Sequence, residues 1–97
     1  MTLTADERRL LELVATAAKP VAMPAFFNTI HPPTFKKGAP QDDPARRAWV
    51  RHQLDLFDVS LRLWYIGLVE IVHPANGERP DLVVITDAGR AALGLGA

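Results

Sequence analysis

Apolar positions recur along this chain with two different periods, and the change of period marks out its elements. Leu10, Leu11, Val14, Ala17 and Ala18 follow helical spacing. Thr4 with Glu7 three residues later forms a candidate capping box, so a first helix is expected over residues 4–19. Pro20 should stop it, because the residue before a proline disfavours the helical region. Phe26, Phe27 and Ile30 support one short helix over 24–31. From Pro44 the pattern lengthens. Val50, Leu54, Phe57, Leu61, Trp64 and Leu68 step by four and three, the apolar stripe of a long helix over 44–66. Asp42 or Asp43 can cap it, with Pro44 in the first turn. A second seam, Trp49, Leu56 and Leu63, falls on another side of the same helix. The polar positions Arg47, Arg51, Asp55, Asp58 and Arg62 share the remainder. The spacing therefore predicts a helix that is mostly buried.

After Gly67 the period changes. "LVEIV" and "DLVVIT" are short β-runs joined through Asn76-Gly77, a dipeptide that tolerates positive φ and favours hairpin turns. A hairpin is expected within 68–86, with strands at 69–72 and 82–85. Thr86 then caps a last helix over 87–93. Gly89 stands inside that helix, where glycine costs about 1 kcal/mol relative to alanine. It is expected where a side chain would prevent close packing against the strand or the long helix. Between the short and long helices, residues 32–43 are rich in proline and read as an exposed loop. The elements make a mainly α chain with a small β-hairpin, an α+β fold in one domain.

Composition narrows the function. The chain has 97 residues and 48% hydrophobic content, enough for one packed core. Formal net charge is zero, so attraction of polyanions must rest on a local patch. There is no cysteine, which excludes disulfides, thiolate zinc sites and a cysteine nucleophile. The charged N-terminal residues do not resemble a signal peptide, and no apolar run reaches membrane-spanning length. A cytoplasmic, membrane-free protein is the expectation.

The stretch "LWYIGLVEIV…GERPDLVVITDAGRAAL", residues 63–93, resembles the winged helix-turn-helix regulators of the multiple-antibiotic-resistance (MarR) and PadR type. Their recognition helix ends in an apolar residue, glycine and Leu-Val. A β-hairpin wing follows, then a strand closing in Leu-Thr and a Gly-Arg pair in the next helix. Here those features read Gly67-Leu68-Val69 and Ile85-Thr86-Asp87-Ala88-Gly89-Arg90. The resemblance covers a third of the chain. It implies a winged-helix fold and a transcriptional regulator binding double-stranded DNA. There are departures: a proline-rich loop replaces the family's tight turn, and two of the three residues expected to face DNA, Asp55, Asp58 and Arg62, are acids.

Basic residues are unevenly distributed. Residues 31–52 hold five lysines or arginines against two aspartates, whereas residues 53–97 hold three arginines against six acids. Lys36, Lys37, Arg46, Arg47, Arg51 and His52 are candidate phosphate contacts. Arg79 at the wing tip is a candidate for a minor groove, against the alternative of an arginine neutralised by Glu78 and Asp81. Arg62 is a DNA candidate by position, with Asp58 four residues earlier as the competing partner. A homodimer is expected because a 97-residue chain has little with which to cover a helix apolar on two sides. The seam Trp49, Leu56 and Leu63 is the candidate dimer interface. No catalytic, metal or cofactor site is expected. His31, His52 and His73 match no zinc spacing, and Ser60 lies mid-helix with no base in register. The alternative function is a winged-helix protein-interaction module or inhibitor that does not bind DNA.

Overall fold

Thr4 starts the first helix by a reciprocal cap. Its hydroxyl accepts from the Glu7 backbone N–H at 3.1 Å, and its own N–H donates to Glu7 Oε1 at 2.8 Å. The computed structural model, which describes residues 2–95, has α1 at Ala5–Thr16, three residues shorter at its C-terminal end than the spacing predicts. Ala17 is already extended, and the chain straightens through Pro20 so that Val21 can reach Val83. A 3-10 turn at Met23–Phe26 runs into a single α-turn, α2, at Phe27–Ile30. Residues 32–43 contain no regular element.

Asp43 caps α3, accepting from the Arg46 N–H at 3.0 Å, and the helix runs Pro44–Tyr65. Gly67, at φ +82°, turns the chain out of it. Strands β1 (Val69–His73) and β2 (Leu82–Ile85) pair antiparallel, Val69 opposite Ile85 and Ile71 opposite Val83, with an irregularity between Ile71 and His73. Val21 forms an isolated bridge on the free edge of β2, its N–H and carbonyl exchanging bonds with Val83 at 3.0 and 2.8 Å. Thr86 caps α4 (Asp87–Ala92), accepting from the Gly89 N–H at 3.1 Å, and its hydroxyl donates to the Gly67 carbonyl at 2.6 Å. A Cβ on Gly89 would land on the Leu68 carbonyl oxygen and 2.6 Å from Ile85 Cγ1. The glycine therefore lets α4 lie directly on the junction between α3 and the hairpin. The result is an α+β chain of helices packed on a small antiparallel hairpin.

The core joins Leu10, Leu11 and Val14 of α1 to Met23, Phe27, Leu68, Val69, Val83 and two residues of α3, Leu56 and Leu63. This corrects the expectation for α3 in two respects. Leu56 and Leu63 are wholly buried within the chain, so they are not available as a dimer interface. The stripe expected to be core faces outward instead: Val50, Leu54, Phe57, Leu61 and Trp64 are between 42% and 63% exposed. Only Leu68, beyond the end of the helix, turns into the core. The physical reason is that the helix carries two apolar faces about a third of a turn apart. The layer of α1 and the hairpin is wide enough for one. No helix among the described residues is long and apolar enough to cross a membrane.

Candidate functional site

The proline-rich loop is fastened to the first half of α3. The His31 carbonyl accepts from Trp49 Nε1 and from Gln53 Nε2, both at 3.2 Å. Phe35 meets the Trp49 ring edge-on, with centroids 5.4 Å apart. Farther along, Arg46 Nη1 donates to the Ala39 carbonyl at 2.6 Å. Trp49 is thus a half-buried anchor for the chain's own loop. The His31 ring closes the arrangement toward α1. Its Nε2 lies 3.1 Å from both Asp6 carboxylate oxygens, and the His52 ring stacks on it at 4.4 Å.

Lys36 and Lys37 stand on this fastened loop, and Arg47, Arg51 and His52 on the first half of α3 to which it is tied; all five are exposed. Among the described residues, neither lysine nor either arginine has a carboxylate within 4.0 Å. A shallow groove that includes the two arginines but neither lysine is lined by Gln41, Arg46, Arg47, Val50, Arg51 and Leu54. Such a surface can bind anions through charge-assisted hydrogen bonds. Arg46 contributes differently, since its guanidinium holds the loop.

The other two arginine candidates lie away from this end and are engaged within the chain. Arg62 Nε donates to Glu7 Oε2 at 2.6 Å, not to Asp58, linking α3 to α1 across 55 positions of sequence. Glu7 is 4% exposed. The Thr4 backbone N–H, followed by the Thr4 side chain and Arg62, holds its carboxyl below the ordinary value of 4.5, against burial, which acts to raise it. At the hairpin tip Arg79 turns inward, its Nη1 donating to the carbonyls of Pro74 and Pro80 at 3.1 and 3.2 Å. It neither projects from the tip nor pairs with Glu78 or Asp81. Asp81 instead accepts from the Ala75 N–H at 2.7 Å. Asp55 and Asp58 are exposed on α3, one and two turns beyond Arg51.

A second surface went unread in the sequence. The outward stripe of α3 forms one wall of an apolar groove whose other walls are Met23 and Pro24 of the 3-10 turn and Ile71, Pro80 and Val83 of the hairpin region. Ser60 also lines it, with its hydroxyl bonded to the Phe57 carbonyl at 2.6 Å. The signal was present in the four-three spacing of Val50 to Trp64; what the spacing lacked was a reason to place that side outward. The Asp6–His31–His52 cluster had no local signal, because its members stand on three separate segments. Searches against protein families, curated proteins and solved structures found no match for the chain.

Proposed function

We propose that this chain is a winged-helix DNA-binding regulator that grips the phosphate backbone with the basic end of α3. The observation that carries this reading is the set of four exposed cations without acid partners among the described residues, Lys36 and Lys37 on the loop and Arg47 and Arg51 on the part of α3 to which that loop is fastened. The winged-helix part is supported by the order of elements. Val21 adds a third strand position beside β2, so the chain runs helix, strand, helices, then a hairpin whose second strand pairs with that first position. In such folds the helix before the hairpin approaches the major groove. Here its first half would do so, since Asp55 and Asp58 make the second half repel phosphate.

Titration of random-sequence duplex DNA at several salt concentrations tests this. Each phosphate neutralised contributes about 0.9 to the slope of log affinity against log salt. Replacing Lys36 and Lys37 together with alanine should flatten that slope by about two and weaken binding to all sequences alike. Absence of duplex binding by the native chain at low salt would overturn the reading. A second reading, a protein-interaction module, is favoured by the exposed apolar stripe on the same helix.

A further inference from the structure

We infer that the outward stripe of α3 is covered by α3 of a second copy of this chain, lying antiparallel in a defined register. The inference goes beyond DNA binding and does not require it; the pairing draws Arg47 and Arg51 into its own contact and leaves Lys36 and Lys37 as the cations free for phosphate.

The stripe has the form of a helix-pairing seam. Val50, Leu54, Phe57, Leu61 and Trp64 alternate by four and three, the heptad spacing that keeps one seam facing a partner helix. The seam runs about 21 Å along the helix. Exposed apolar surface of that extent marks an interaction site on a soluble protein. A symmetric pair requires the patch to be complementary to itself, and one register meets that condition. Setting Leu54 against the partner's Phe57 also sets Val50 against the partner's Leu61, and both contacts repeat by symmetry.

Charge selects this antiparallel arrangement. Arg51 and Asp58 occupy equivalent positions on the same flank of the seam, one heptad apart. In the antiparallel register each Arg51 meets the partner's Asp58, giving two opposite-charge pairs. A parallel pair would place Arg47 against its own symmetry mate in the seam and bring Arg46 beside the partner's Arg51, two like-charge contacts. The antiparallel register also lays Arg47 over the partner's Trp64, a cation–π arrangement. The groove beside the stripe has one charged lining residue, Asp81. The segment brought against its α3 wall begins with Arg47. Asp58, which opposes phosphate in a lone chain, is neutralised by its mate in the pair. The basic ends then lie at opposite ends of the dimer, with the two Arg47 positions about 26 Å apart along the helix axis.

Sedimentation equilibrium of the full chain, without DNA, tests the inference apart from the function proposed above. The native chain should reach twice 10.7 kDa as concentration rises through the micromolar range. Leu54→Glu should hold it at 10.7 kDa with unchanged far-UV circular dichroism, since Leu54 is 63% exposed in the single chain. Arg51→Asp alone and Asp58→Arg alone should each weaken association about tenfold. The double variant R51D/D58R should recover it to within about threefold. A native chain that stays monomeric at several hundred micromolar overturns the inference. So does a dimer that Leu54→Glu leaves intact, or one whose two single charge reversals are not rescued by the double variant.

Discussion

The two apolar faces of α3 are built from similar residues at similar spacing and have opposite environments. Leu56 and Leu63 are wholly buried between α1 and the hairpin, while Leu54 and Phe57, about a third of a turn round the helix, stand half or more exposed. Periodicity identifies a helix and its apolar sides, but with two sides it does not say which one turns inward. The polar residues beside each face carry that information. The inner seam is accompanied by groups that need partners within the chain: the Trp49 indole N–H, the Gln53 amide and the Ser60 hydroxyl, each satisfied by a backbone carbonyl. The outer seam is flanked by Arg47, Arg51 and Asp58, charges that remain in water in a single chain. Short polar groups mark a face that the fold can satisfy, and unpaired charges mark one that it leaves open.

The comparison can be broken most directly by truncating one residue of each face. Leu63→Ala removes packing from a filled core and should cost about 2–5 kcal/mol in urea unfolding. Leu54→Ala, measured at a concentration low enough to keep the chain monomeric, should stay within about 0.5 kcal/mol of native. Comparable losses from the two would mean that both faces are buried inside one chain.

A smaller effect is expected where the outer stripe ends. Leu68 continues the four-three spacing in sequence but lies past Tyr65, after the turn at Gly67, and is buried. Gly89 sits on its carbonyl. By helix propensity alone, Gly89→Ala should stabilise by up to about 1 kcal/mol. The new methyl would instead meet the Leu68 backbone and Ile85. The variant should therefore lose about 1–3 kcal/mol as α4 is pushed off the junction, visible as a lowered melting temperature. A gain in stability would show that α4 is not seated there.

What could be read in the sequence was what local chemistry decides. The Thr4–Glu7 box, the aspartates before Pro44, Asn76-Gly77 and the Thr86 cap each act over a few residues; α1, α3 and α4 begin where their signals stand, and Asn76-Gly77 lies in the turn between the hairpin strands. The basic end was legible for the same reason, as a cluster within 22 positions. Contacts made across the fold were not. Val21 pairs with Val83 through its backbone alone, which leaves no mark on the side chain. Arg62 had an acid four residues earlier, yet it bonds to a buried carboxylate 55 positions away that can accept a stronger, less hydrated bond. For Arg79 the sequence offers a groove contact or a pairing with Glu78 and Asp81, whereas the carbonyls of its own loop take up its donors.

The smallest effect concerns the polar strip between the two faces, and whether Arg62 belongs with the inner one. Its partner Glu7 has a carboxyl held below the ordinary value of 4.5 in the folded chain. Above that value the group is ionised whether folded or unfolded, and its contribution to stability is fully present. As pH falls below it, the unfolded chain takes up the proton first. The contribution shrinks until pH passes the lowered folded value, where it is gone. Glu7→Gln keeps an oxygen that can accept from Thr4 and removes the charge that Arg62 answers. At pH 7 it should cost about 1 kcal/mol, and its stability should vary less than that of the native chain as acid is added below 4.5. The two curves, measured by urea unfolding, should converge at the acid end. Arg62→Ala should reproduce part of the neutral-pH loss by leaving a buried carboxylate oxygen without its donor. If neither variant differs from native at pH 7, Arg62 is as free as Arg47 and Arg51, and the strip belongs wholly to the outer face.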